Sequence, residues 1–283
     1  LPFDLLEEKV GDRPEIWPSA AAFDPEVRPL DANAAVTILE HLRAASHPLI
    51  LAGPQLCHAG HLAPLARLQA VLGVPVLPME SPRGINDPRL GAFAEILPRA
   101  DLIVLLGKVH DFTLRFADAP FVQPACRIVV VDPDASAIER VRREKADRLV
   151  FAAVADAKHA LDTLVARASA PHGNAAWLSE VIEAIEYRPP AWETLAAREA
   201  GKLHPVELCR ALQSVFAQHP DAILVCDGGE IGQWPQALLA PARRLINGPA
   251  GSIGSSIPMA IAARAAAPRS PVIAVMGDGT FGF

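Results

Sequence analysis

Short apolar runs alternate with amphipathic stretches along most of this chain. Asp31 stands where a helix over ANAAVTILEHLRAA would need its N-terminal cap. PLILAG at 48–53 follows as a continuous apolar run closing on glycine, which reads as a buried strand. The alternation continues with a helix near HLAPLARLQAVLG and a strand at VPVLPM. Next come three runs rich in Val, Ile or Leu: ADLIVLLG, CRIVVVD and RLVFAAVAD. A helix over DASAIERVRREKA separates the last two. Apolar strands separated by helices imply a parallel sheet covered on both faces. Residues 31–168 are therefore expected to form one doubly wound, Rossmann-like domain.

A helical linker is expected over 169–200, with helices near 175–186 and 191–201 after the polar stretch ASAPHGNAA. A second α/β pattern fills 201–283. It runs from the helix HPVELCRALQSVFAQ to the strand DAILVCDGG, then the strand RRLINGP, the helix SSIPMAIAARAAA and the strand PVIAVMGDG. Only three strands can be counted there, fewer than a parallel sheet normally needs to cover its core. The fold class expected is α/β: two doubly wound parallel-sheet domains, the second truncated. Residues 1–30, rich in proline and without periodicity, read as a linker laid on a surface.

Composition agrees with this picture and narrows the function. At 283 residues the chain is long enough for two domains, and its formal charge of -6 argues against a nucleic-acid or anionic-membrane partner. No apolar run approaches membrane-spanning length. Cys57, Cys126, Cys209 and Cys226 are scattered in apolar surroundings and read as reduced core residues of a cytosolic protein.

The candidate chemistry lies at the ends of the last three strands. In an open parallel sheet, ligands gather outside the carboxyl ends of the strands. Here those ends carry Asp227-Gly228-Gly229-Glu230, then Gly248 through Ser256, then Gly277-Asp278-Gly279-Thr280. Glycine lets backbone N–H groups approach and face an anion. A lone carboxylate beside a phosphate would repel it unless a divalent cation bridged the two. Mg²⁺ favours one or two carboxylates together with phosphate oxygens and water. Asp278 is thus expected to be a metal ligand at a diphosphate site. No Gly-x-Gly-x-x-Gly follows PLILAG, and no Walker lysine pattern occurs.

The segment from AILVCDGGEIGQW through GPAGSIGSSIPMAIAARAAA to PVIAVMGDGTF resembles the diphosphate-binding domain of thiamine-diphosphate enzymes of the acetolactate synthase and benzoylformate decarboxylase group. Residues 31–168 resemble that group's central domain. LPFDLLEE resembles the link leaving an N-terminal pyrimidine-binding domain, so the resemblance implies that this chain is a fragment lacking that domain and the rest of the third. It further implies that Asp278 binds Mg²⁺ while Gly277, Gly279 and Thr280 hold the diphosphate. Gly229, Glu230 and Ile231 would lie over its far end, and Gly251 would offer a carbonyl to the aminopyrimidine. Ser252 follows, and Ile253 would be the apolar wedge that bends the cofactor. Two features depart from the pattern. Glu230-Ile231 replaces Gln-His of acetolactate synthases, so the Glu230 carboxylate is expected to point away or pair with a base. The activating glutamate belongs to the absent domain, so no catalytic side chain is assigned here.

The implied enzyme is a carboligase or decarboxylase acting on 2-keto acids or aldehydes, with a C–C lyase of the 2-hydroxyacyl-CoA or benzaldehyde type as the alternative. It would work as a homodimer or homotetramer, with this chain alone inactive. A non-catalytic nucleotide-binding module is the alternative of another class. Some relatives carry FAD or ADP on the central domain. Candidate contacts for such a nucleotide are Gly53 and Asp132, while Lys108, Asp111 and Arg115 match only loosely the Gly-Arg-x-Asp-Asp pattern of flavin-binding members; the plainer reading of Asp132 is a cap on the helix after Pro133. The three donors of LCHAGH are too few for a metal site and read as a loop entering a helix.

Overall fold

The computed structural model describes residues 9, 11, 18–24, 26–171, 173–248 and 250–283. Most of the proline-rich stretch before Pro18 therefore lies outside the described residues.

The first unit begins with helix α1 (Ala32–Arg43), capped by Asp31, whose carboxylate accepts from the Asn33 and Ala34 N–H groups. Strand β1 (Pro48–Ala52), helix α2 (Ala59–Leu72) and strand β2 (Val76–Pro78) follow. After the single turn α3 (Phe93–Ile96) come strand β3 (Leu102–Leu106) and strand β4 (Arg127–Asp132). Helix α4 (Ala135–Glu144), strand β5 (Leu149–Val154) and helix α5 (Ala157–Arg167) complete the pattern. The sheet is parallel throughout, in the order β2-β1-β3-β4-β5. Its strands alternate faces, as a pleated backbone requires. Ile50, Ala52, Val104, Leu106, Val129 and Val131 meet the helices α1, α2 and α5. Leu49, Leu51, Ile103, Leu105, Ile128 and Val130 meet Phe93, Ile138 and Val141 on the other side. Two apolar layers on one sheet explain why these strands read as unbroken apolar runs.

Helix α6 (Ala175–Glu186) belongs to the second of these layers. Trp177 and Val181 are buried in it, and the Trp177 indole N–H donates to the Pro48 carbonyl at 2.9 Å. The second helix expected over 191–201 does not form. Pro190–Glu193 make a 3₁₀ turn, and turns follow to Gly201. Those residues are mostly exposed, and so short a helix is marginal in water without an apolar face to bury.

The second unit contains helix α7 (Pro205–Gln218), strand β6 (Ile223–Cys226), the short helix α8 (Gln233–Leu238) and strand β7 (Arg243–Ile246). Helix α9 (Ser256–Ala266), strand β8 (Val272–Val275) and the turn α10 (Asp278–Phe281) close it. His204 starts α7 in a capping box: its ring accepts from the Val206 N–H and the Glu207 carboxylate accepts from the His204 N–H. The sheet is parallel in the order β7-β6-β8. β6, in the middle, is fully buried, while β7 and β8 are covered only in part. The four cysteines are buried and unbridged. Among the described residues no helix is long and apolar enough to cross a membrane.

Candidate functional site

Because β7, β6 and β8 are parallel neighbours, their carboxyl ends lie side by side, and the three glycine-bearing loops meet there. Gly228 has no room for a side chain, since a Cβ there would stand 2.8 Å from Ile253 Cγ2 and 3.1 Å from Asn247 Nδ2. The first loop thus packs directly on the second. It also reaches the third, with Ile231 Cγ2 3.5 Å from where a Cβ on Gly277 would lie. The second and third loops are joined by Ser256, whose hydroxyl contacts Met276 Sδ at 3.5 Å.

Asp227 fastens this junction. It is wholly buried, and its carboxylate accepts from the Gly228 N–H at 2.6 Å, the Gly254 N–H at 3.1 Å and the Ser256 N–H at 3.0 Å. Burial works against its charge, but the hydrogen bonds from Ser256, Gly228 and Gly254 prevail and hold the carboxyl below the usual aspartate range. The neighbouring Cys226 thiol is pushed up to about 12 by burial, against the pull of the Arg244 and Arg83 charges, and is inert at neutral pH.

The ten sequence-expected site residues fall on these three loops. Gly229 and Gly251 have φ of 75° and 69°, left-handed values that a side chain would resist. Glu230 is exposed, and among the described residues no basic side chain pairs with it. Ser252 and Ile253 are also exposed, Ile253 at 45%, although its Cγ2 rests on Gly228. Asp278 is exposed at the end of β8, where its Oδ1 accepts from the Gly279 N–H at 2.8 Å. Thr280 donates to the Gly277 carbonyl at 2.9 Å.

Several buried polar atoms around these loops have no hydrogen-bond partner: Arg83 Nη1, Asn247 Oδ1, Ser255 Oγ and Gln236 Oε1. Buried polar groups are normally paired, so water or a polar ligand is needed to answer each of these. Two of them, Arg83 and Ser255, are donors suited to an anion. Among the described residues no group of three or more His, Cys, Asp or Glu side chains could cage a metal unaided. One carboxylate, Asp278, fits Mg²⁺ when phosphate and water complete the shell. The loops and their orphaned donors therefore suit a diphosphate with Mg²⁺.

Among the residues proposed for a nucleotide on the first unit, Gly53, Lys108 and Asp132 have close partners within the chain, while Arg115 is exposed. The sheet order changes direction between β1 and β3, the place where such folds bind ligands. There Gly53 lies against the Gly107 carbonyl, only 1.7 Å from where its Cβ would be. Its glycine serves backbone contact between strand ends. The Lys108 ammonium is buried and donates to Thr113 Oγ1, the Val109 carbonyl and Asp111 Oδ1. Arg115 stacks on Phe121. Asp132 is buried and accepts from the Asp134 N–H, and burial pushes its carboxyl up. The cap of α4 is Asp134 rather than Asp132, because the turn through Pro133 places the later aspartate beside the Ser136 N–H. His58 and His61 lie with ring centroids 4.0 Å apart at the entry to α2 and, among the described residues, gather no group of donors that could hold a metal.

Sequence reasoning missed Asp227 as the fastening group. Its signal was legible: an acid closing a fully apolar strand must be hydrogen-bonded. It also missed Arg83, for which no local signal exists.

Two family models match the chain. "Thiamine pyrophosphate enzyme, central domain" covers residues 36–164, and "Thiamine pyrophosphate enzyme, C-terminal TPP binding domain" covers 227–283. Acetolactate synthase large subunit IlvG of Mycobacterium tuberculosis is 28% identical over 250 residues, 86% of this chain and 44% of its own length. Human 2-hydroxyacyl-CoA lyase 1 is 27% identical, across 92% of this chain and 46% of its own. A thiamine diphosphate-dependent 4-hydroxybenzoylformate decarboxylase of Rhodococcus jostii RHA1 shares the fold with a TM-score of 0.64 at 20% identity, over 91% of this chain and 48% of the decarboxylase. The chain thus spans less than half the length of these relatives.

Proposed function

Because the chain belongs to the thiamine pyrophosphate enzymes, with their central and cofactor-binding domains, we propose that it forms part of a Mg²⁺-dependent carboligase or decarboxylase acting on 2-keto acids or aldehydes. The observation that carries this reading is the meeting of the three glycine loops at the strand ends, the first two tied by Asp227 and the third reached through Ile231 and Ser256. When bound, thiamine diphosphate supplies the carbon nucleophile and the electron sink for breaking or making a C–C bond. The chain's own residues bind and orient. Gly229, Gly277 and Gly279 leave the backbone open to the diphosphate, Thr280 stands beside them, and Gly251 would offer its carbonyl to the aminopyrimidine. Asp278 would hold the Mg²⁺. Ile253, exposed and resting on Gly228, is placed to support an apolar ring. No acid or base of this chain is assigned a proton transfer; that role falls to a pyrimidine-binding domain, supplied by a second subunit in a homodimer or homotetramer.

The 2-hydroxyacyl-CoA lyases among the relatives favour C–C lyase chemistry as a second reading. The experiment for either is calorimetric titration of the whole gene product with thiamine diphosphate, with and without Mg²⁺. Binding should require the metal, and Asp278→Asn should weaken it by at least about tenfold, the loss of one charged ligand. Equal binding without Mg²⁺, or by D278N, would overturn the assignment of Asp278. Assay of 2-keto acids against 2-hydroxyacyl-CoA thioesters separates the two reactions.

A further inference from the structure

The first unit reaches directly into the loops of the second. The turn after β2, Ser81-Pro82-Arg83, touches two of them. Arg83 Nη2 donates to the Gly229 carbonyl at 3.0 Å, and Pro82 Cβ lies 3.3 Å from where a Cβ on Gly251 would stand. The turn is firmly seated. Ser81 is buried, its carbonyl accepts from the Gly84 N–H at 3.0 Å, and Gly84 lies against the Thr113 carbonyl with no room for a Cβ. The backbone on both sides of Arg83 is therefore held in place, and its half-buried side chain is tied to the second unit through Gly229.

Two arginines stand near the end of β6, and they differ. Arg244 is neutralised by Glu80, which accepts from both its Nε and its Nη2. Arg83 has no carboxylate partner among the described residues, and its Nη1 is buried with no hydrogen bond. An arginine cannot escape this by losing its proton, so a buried and unanswered N–H of a permanent cation is costly. The partner that would answer it is an anion from outside the chain, and Arg83 borders the loop read above as the diphosphate site.

We propose that Arg83 is a diphosphate-binding residue contributed by the central unit, with Nη2 holding the Gly229 carbonyl and Nη1 taking a phosphate oxygen. This rests on reading the three loops as a thiamine diphosphate site. It gives the central unit a part in binding the cofactor, and it sets a fixed positive charge near the loop that carries Glu230.

The test is calorimetric titration of the whole gene product, in Mg²⁺, with thiamine diphosphate, inorganic pyrophosphate and thiamine. Arg83→Gln should weaken the first two roughly ten- to hundredfold and leave thiamine unchanged, and Arg83→Lys should recover part of the loss. If R83Q fails to fold, R83K carries the test, through its selective loss for the two phosphate-bearing ligands relative to thiamine. A tie that only joined the two units would lower the melting temperature of the ligand-free protein and weaken all three ligands alike, which overturns the proposal. Unchanged diphosphate affinity in R83Q overturns it while the reading of the site survives. A wild-type protein that binds neither thiamine diphosphate nor pyrophosphate overturns both.

Discussion

Asp227 joins stability to the site at the scale of one residue. Three backbone N–H groups depend on it, two of them from a loop some thirty positions later. Asp227→Asn turns one acceptor into an NH₂ facing those donors. A loss of about 1–3 kcal/mol is expected, the cost of leaving buried donors unanswered, measurable as a lower denaturant midpoint. The pH dependence has a definite sign. The folded state binds this proton less tightly than the unfolded chain, since hydrogen bonds hold the carboxyl down. Its contribution is complete above the ordinary aspartate value near ~4 and is lost as pH falls below it. Wild-type stability should drop more steeply than that of D227N on acidification below that range. Parallel acid profiles of the two proteins would count against the fastening role.

At the scale of elements, the close approach of strand ends decides what the loops can do. The Gly53 backbone lies on the Gly107 carbonyl where β1 and β3 finish. Gly53→Ala cannot fit without parting the two strands, and overpacking of this kind costs typically about 1–3 kcal/mol, more where backbone is the obstacle. Thermal melting should register it, and an unchanged midpoint would refute the contact. The elements themselves were largely legible in the sequence. The apolar runs became β1 to β8, and the Asp31 cap lies where expected, because local pattern and tertiary burial agree there. The helix expected near 191–201 failed because periodicity without a face to bury does not sustain a helix. The cap of α4 moved to Asp134 because turn geometry depends on Pro133 and not on which acid comes first.

For the molecule as a whole, the two units are joined by charge as well as by packing. Glu80 of the first unit, largely buried, meets Arg244 of the second and also Arg89. Arg188, just after α6, donates to the carbonyls of Ala237 in the second unit and Arg89 in the first. Removing one member of a buried pair leaves a stranded charge and costs about 3–5 kcal/mol. Glu80→Ala should therefore destabilise the protein and split its melting into two transitions as the units uncouple. A single unshifted transition by calorimetry would exclude that coupling.

The sequence by itself determined the α/β class, the placement of nearly every strand and the three loops that gather the ten candidate residues. Those features are local: apolar periodicity and glycine at a strand end speak through neighbours in the chain. Only the tertiary structure decided that Asp227 ties two loops, that Lys108 is buried against Thr113 and Asp111, and that Arg83 reaches Gly229 across 146 positions. Contacts of that length depend on how the sheets are ordered and how the units dock, and no short-range pattern of residue types encodes them.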